Sequence, residues 1–240
     1  MAEFAAMTGS VPAPLVSCIV PVFNCARFLG EALDSIYAQT YHPIEVIVVD
    51  DGSTDGSVDV AARYGERLTL VQQENGGPGA ARNSGFGRAR GALIACLDAD
   101  DHWHPRRVEV GVAPLLRDPA IAGTSVRGVN FWDDDSRAQE ALVAGQPVTR
   151  PQRWYSLGSL IFRRELIDTV GLIRPDLGLG EDIDWISRAE AAGHRFTDID
   201  DVMYFHRVHR RNMTGAMTDT KRADITDVVQ AHLARARKAR

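Results

Sequence analysis

Each of the first four apolar runs in this sequence leads into a cluster of Asp, Asn or Gly. The runs are residues 17–23 (SCIVPVF), 44–49 (IEVIVV), 68–72 (LTLVQ) and 93–97 (LIACL). They are short and mostly apolar, as strands buried on both faces must be. Helical patterns lie between them. Phe28, Leu29, Ala32, Leu33, Ile36 and Tyr37 form one apolar stripe, and residues 57–64 and 79–89 are further helix candidates, the latter weakened by Gly85 and Gly87. Strands alternating with helices predict βαβ units: an α/β fold with a mainly parallel, Rossmann-like central sheet flanked by helices. Open sheets of this kind bind ligands outside the carboxyl ends of their strands. The clusters at Asn24, Asp50-Asp51-Gly52-Ser53-Thr54-Asp55, Glu74-Asn75-Gly76-Gly77-Pro78-Gly79 and Asp98-Ala99-Asp100-Asp101 should therefore converge on one crevice. Turns favour Asp, Asn and Gly for their own reasons. That preference does not require seven carboxylates in three loops.

Beyond Pro105, which a first helical turn tolerates, a helix with Val108, Val112, Leu115 and Leu116 inward is expected. The pattern then loosens. Residues 124–131 read as strand, 132–151 as a polar loop, 157–162 as strand and 164–170 as helix. Residues 181–192 read as a helix ended by Gly193, and 202–208 as a strand. Residues 1–14 form a loose tail and 220–240 a basic, Ala-rich helix, which leaves 15–219 as a single domain.

Charge narrows the function. With 27 Lys and Arg against 32 Asp and Glu, the chain carries −5 and lacks the basic footprint of a nucleic-acid binder. Cys18, Cys25 and Cys96 are few, odd in number and wrongly spaced for a zinc ribbon, so a reducing compartment is expected. The first basic residue is Arg27, which does not suit a signal peptide, and no run of 18 apolar residues suits a bilayer. The expectation is a cytoplasmic protein.

Asp98-Ala99-Asp100 is the sharpest cluster. In extended backbone, residues i and i+2 point to one side, so both carboxylates can face one ligand. Carboxylates so close repel unless a cation lies near them. Mg²⁺ and Mn²⁺ prefer such oxygen ligands and are commonly shared with substrate phosphates. The plain alternative is a solvated acidic turn capping the next helix.

Six segments together resemble the ordered motifs of family 2 glycosyltransferases. They are Pro21-Val22-Phe23-Asn24, Val49-Asp50-Asp51-Gly52-Ser53-Thr54-Asp55, Asn75-Gly76-Gly77, Ala81-Arg82-Asn83, Leu97-Asp98-Ala99-Asp100-Asp101 and Gly180-Glu181-Asp182-Ile183-Asp184-Trp185. The resemblance runs from about residue 16 to 214 and implies the GT-A fold, a nucleotide-sugar donor, most simply a UDP-sugar, and inversion at the anomeric carbon. It implies that Pro21, Phe23 and Asn24 line a nucleoside pocket, and that Asp51 accepts hydrogen bonds from uracil or ribose while Asp50 fixes the turn. Asn75, Gly76 and Gly77 would admit the donor close to backbone. Asp98 and Arg82 would contact the donor, although Arg82 serves an ion pair equally well. Asp55 suits a cap on the following helix.

The same resemblance makes Asp182 the general base that takes the acceptor's proton. Asp100, Asp98 and His209 would hold the metal. Arg207, Arg210 and Arg211 would offset diphosphate charge or form a solvated basic loop. Trp103, Glu181 and Trp185 are acceptor contacts, with core packing the alternative for both tryptophans. Asp184 and Arg188 fit a helix-surface pair, and Asp133-Asp134-Asp135 a solvated loop.

Two rivals remain: a nucleotidyltransferase, which would want a Gly-rich loop where Asn24-Cys25-Ala26-Arg27 stands, and a sugar-binding protein without activity. The acceptor is open among glycan, lipid-linked sugar, peptide and natural product. Residues 221–240 carry +4 and the remainder −9. So acidic a body repels a diphosphate unless a divalent cation mediates. The basic helix suits solvent or the inner face of an anionic membrane.

Overall fold

The computed structural model describes residues 12–212 and 219–238. Most of the expected N-terminal tail, part of the segment after Asn212 and the last two residues lie outside that range. In chain order the first half runs β1 (Val16–Val22), α1 (Ala26–Tyr37), β2 (Ile44–Asp50), α2 (Ser57–Ala62), β3 (Leu68–Gln72), α3 (Gly77–Arg88) and β4 (Leu93–Cys96). The second half runs β5 (His102–Trp103), α4 (Arg107–Arg117), β6 (Ile121–Trp132), α5 (Arg137–Val143), β7 (Gln152–Arg153), β8 (Leu160–Arg163), α6 (Leu166–Val170), α7 (Glu181–Ala191), β9 (Arg195–Val208) and α8 (Asp219–Lys238).

All strands join one sheet in the order β3-β2-β1-β4-β8-β6-β9-β5, with β7 on β6. The four strands carrying the polar clusters are parallel neighbours. β8 then enters antiparallel between β4 and β6, while β6 and β9 pair in parallel over eleven positions. The sheet is thus parallel where the sequence alternates cleanly and mixed where the pattern loosens.

The parallel half is held from both faces. Cys18, Val20, Val46 and Val48 meet Leu29, Leu33 and Ile36 of α1 on one side. Ile19, Ile47 and Val49 meet Ala81 and Phe86 of α3 on the other. That alternation is the two-residue period of a strand buried on both faces. Gly85 belongs to this packing. A Cβ there would sit 2.4 Å from Ile19 Cγ2, so glycine is what lets α3 lie close on β1.

Several details depart from the sequence reading. Leu116 is exposed, not inward. Residues 132–151 are not all loop, since α5 lies within them. The strand at 202–208 begins at Arg195, and irregular pairing after Val126 marks the bulged stretch that hid its first half. β5 was not expected; it pairs antiparallel with β9. Among the described residues, no helix is long and apolar enough to cross a membrane.

Candidate active site

The four polar clusters do meet at the carboxyl ends of β1 to β4, and a fifth segment, the start of α7, joins them. The β1 and β2 loops are stitched together. Asn24 takes a left-handed φ of 50°, which places its Oδ1 to accept from the Thr54 N–H at 2.7 Å, while its own N–H donates to Ser53 Oγ at 2.9 Å. Asp55 accepts from Ser57 N–H and from Ala26 N–H, both at 3.0 Å, so it ties down the starts of α1 and α2 together. Phe23 is 51% exposed at this edge; core packing does not claim it.

Asp51 is buried, and its carboxylate accepts from Gln73 Nε2 at 2.7 Å, Gly76 N–H at 2.9 Å and Gly77 N–H at 2.8 Å. Those bonds shape the Asn75-Gly76-Gly77 loop and use three of about four acceptor sites on a carboxylate. Gly77 itself has φ +85°, which glycine adopts without strain.

Arg82 is the centre of the cluster. Its guanidinium is buried and bridges Glu181 Oε1 at 2.6 Å and Asp98 Oδ1 at 2.7 Å. Burial penalises its charge, but the two carboxylates outweigh that and hold it well above its ordinary pKa. Of its two possible uses, the geometry supplies the ion pair. One side chain thereby joins α3, the β4 loop and α7. Next to Glu181, Asp182 is half-buried and accepts from the Ile183 N–H at 2.8 Å. Burial first and Glu181 second push its carboxyl up to about 7, against the pull of Arg82.

The Asp98–Asp101 segment turns; it is not extended, for Asp101 N–H donates back to the Asp98 carbonyl at 3.1 Å. This corrects the expectation of extended backbone at Asp98–Asp100. Asp98 Oδ1 goes to Arg82, whereas Asp100 Oδ2 lies 3.0 Å from His209 Nε2. Asn212 Nδ2 stands 3.4 Å from the same oxygen. Asp100 and His209 offer oxygen and imidazole nitrogen, a donor pair that suits a divalent cation such as Mn²⁺. Among the described residues no group of three His, Cys, Asp or Glu is gathered for a metal.

Behind this pair, Arg207 is buried and not in a solvated loop. Its Nε donates to the Asp100 carbonyl and its N–H to Asp101 Oδ1, each at 2.8 Å. Its guanidinium lies 4.6 Å from the ring centres of both Phe28 and Phe131 and pairs with Glu31. Tyr204 donates its hydroxyl to the buried Asp101. Asp133 is largely covered and pairs with Arg27, so the Asp133-Asp134-Asp135 cluster is only partly a solvated loop.

Three proposed acceptor contacts are corrected by burial. Trp185 is fully buried, donates to the Gly171 carbonyl at 2.8 Å and packs on Phe162. Trp103 is 2% exposed, with its indole N–H toward the Gly158 carbonyl. Glu181 is enclosed with Arg82. Asp184, expected on a helix surface, has no exposure and is held by Arg188 and Arg235. Sequence reasoning missed the roles of Asp101, Tyr204 and Arg235.

Comparison with known proteins agrees with this architecture. The family model "Glycosyl transferase family 2" matches residues 17–174. The uncharacterized glycosyltransferase RP339 of Rickettsia prowazekii is 43% identical over 103 residues, 43% of this chain and 32% of that protein. Glycosyltransferase AglE of Haloferax volcanii is 32% identical across 80% of this chain and 67% of its own length. The chain thus spans from about a third to two thirds of these relatives. Among solved structures, S. aureus TarS in complex with UDP-GlcNAc superposes with TM-score 0.74 at 21% identity, over 92% of this chain and 66% of that one. The mannosyltransferase PcManGT of Pyrobaculum calidifontis, in complex with GDP-Man and Mn2+, superposes with TM-score 0.67 at 28% identity, over 94% and 64%. With a GT-A fold and a family model that covers most of its length, the chain belongs to glycosyltransferase family 2.

Proposed function

We propose that the protein transfers a sugar from a nucleoside diphosphate sugar, most simply a UDP-sugar, to an acceptor hydroxyl with inversion. The carrying observation is the place of Asp182: a half-buried carboxyl next to Glu181 and beside the Arg82–Glu181–Asp98 bridge, where burial and Glu181 raise its affinity for a proton. A base matched to neutral pH is what removal of a hydroxyl proton needs.

Asp182 takes the proton of the acceptor hydroxyl as its oxygen bonds to the anomeric carbon. The bond from that carbon to the diphosphate oxygen breaks, and the leaving diphosphate keeps the electron pair. Attack from the face opposite the leaving group gives inversion. Asp182 is reprotonated in this step and returns its proton to solvent. Arg82 keeps Glu181 and Asp98 neutralised, so that ionised Asp182 is tolerated beside them.

On the donor side, Asn75, Gly76 and Gly77 line the approach with backbone, and Asp51 holds their loop with one acceptor site left for a uracil N–H or ribose hydroxyl. Phe23 and Pro21 offer an apolar edge to the base. Asp100 and His209 would hold the divalent cation, which when bound supplies positive charge to the leaving diphosphate. That assignment is supported by the Asp100–His209 pairing and by the Mn2+ in PcManGT.

The test is release of nucleoside diphosphate from a panel of UDP-, GDP- and TDP-sugars. Release should occur with one donor class, vanish in EDTA and return with excess Mn²⁺ or Mg²⁺. Binding of a nucleotide sugar with neither hydrolysis nor transfer on any acceptor would overturn the enzymatic reading.

A further inference from the structure

α8 grips the segment that presents Asp182. The Asp224 carboxylate accepts from the Gly178 N–H at 3.0 Å. One turn on, Val228 is 3% exposed against Gly180, where a Cβ would lie 3.6 Å from Val228 Cγ2. Another turn on, His232 Nδ1 stands 3.1 Å from Ser187 Oγ. Arg235 then donates to Asp184 Oδ1 at 2.8 Å and to Ser187 Oγ at 3.0 Å. These spacings place all four side chains on one face of α8.

The contacts are aimed at two points that matter. Gly178 and Gly180 belong to the loop that enters α7, and Gly180 sits at φ +84° directly before Glu181 and Asp182. Asp184 is two residues beyond Asp182 on the same helix and fully buried. Its oxygens are shared between Arg188 of α7, at 2.9 Å, and Arg235 of α8. A carboxylate buried that deeply must keep its partners or move toward water. Because Asp182 and Asp184 share the first turn of α7, such a movement would carry Asp182 with it.

We infer that α8 is a positioning element of the reaction site: through Asp224, Val228 and Arg235 it fixes the loop and first turn that hold Asp182 against the acceptor hydroxyl. This rests on the proposed role of Asp182, whereas the docking of α8 on α7 does not. Among the described residues, none of the four α8 side chains named above bonds to the donor loops. The expected consequence is therefore a loss of turnover at unchanged donor affinity. A displacement of about an ångström at a catalytic group costs up to about 100-fold.

The experiment uses the whole enzyme and its Arg235→Gln, Arg235→Lys and Asp224→Ala variants. It reads kcat, donor KM, UDP affinity by calorimetry and hydrogen exchange of the amides 178–184. Arg235→Gln should lower kcat by about 10- to 100-fold. Donor KM and UDP affinity should stay within about two-fold, amides 178–184 should exchange faster, and Arg235→Lys should recover most of the turnover. Asp224→Ala keeps the buried pair and tests the same grip should Arg235→Gln fail to fold. Faster exchange with unchanged kcat would overturn the positioning role, and unchanged exchange in every variant would overturn the docking itself. If Asp182→Asn were fully active, the base assignment would fail, while the exchange result would still report the docking.

Discussion

At Arg82 a single buried guanidinium answers two carboxylates from distant parts of the chain, Asp98 and Glu181. Removing it leaves Glu181 enclosed without a counter-charge. Breaking one partner of a buried pair costs about 3–5 kcal/mol. Arg82→Met should therefore lower unfolding free energy by about that much, measured in urea, where a surface pair would cost about 1 kcal/mol or less. Asp182 carries an opposite tension. Its pKa lies near 7, above its ordinary 3.8, so the native state holds a proton that the unfolded chain releases. That favours the fold at acid pH, and the contribution is lost as pH rises from about 4 to about 7. Asp182→Asn should accordingly raise Tm more at pH 8 than at pH 4, measured by calorimetry. The proposed role in catalysis runs the other way: a base acts only when ionised, so kcat should fall as pH drops below about 7.

At the scale of elements, the close seating of α3 on β1 determines where Arg82 points. Gly85 faces Ile19 at a distance no Cβ tolerates, so Gly85→Ala must push α3 outward or force Ile19 from its rotamer. The expected cost is about 1–3 kcal/mol of stability. Turnover should fall further than thermal stability alone explains, because Arg82 rides on the same helix. Equal activity in wild type and Gly85→Ala below their melting ranges would show that α3 need not sit so close. β9 plays the corresponding part on the other side. Tyr204, Arg207 and His209 leave it in sequence and reach Asp101, the Asp100 carbonyl and the Asp100 carboxylate in turn.

At the scale of the molecule, the parallel half was legible because each strand is a buried apolar run and each loop a polar cluster. Asp51 follows β2, Asp100 follows β4, His209 follows β9, and Asp182 lies in the first turn of α7. Three things were not legible. Trp103 and Trp185 carry the same side chain in a core as at a sugar site, and only burial separates the two uses. The second half mixes parallel and antiparallel pairing, and the bulged β9 breaks the two-residue period that marks a strand. The partners of Arg207 and Asp184 come from far along the chain, and no local pattern announces a pairing of Asp184 with Arg235. The net charge of −5 gains a location: acidic side chains crowd the site, where Arg82, Arg207 and a divalent cation would offset them.

In the proposed reaction ionised Asp182 takes the proton of the acceptor. Its most direct test is Asp182→Asn, with kcat and UDP affinity measured on the same protein. In this variant kcat should fall about 10²- to 10⁴-fold, with UDP affinity within about two-fold of wild type. Near-normal turnover in that variant, or a loss of activity matched by an equal loss of UDP binding, would contradict it.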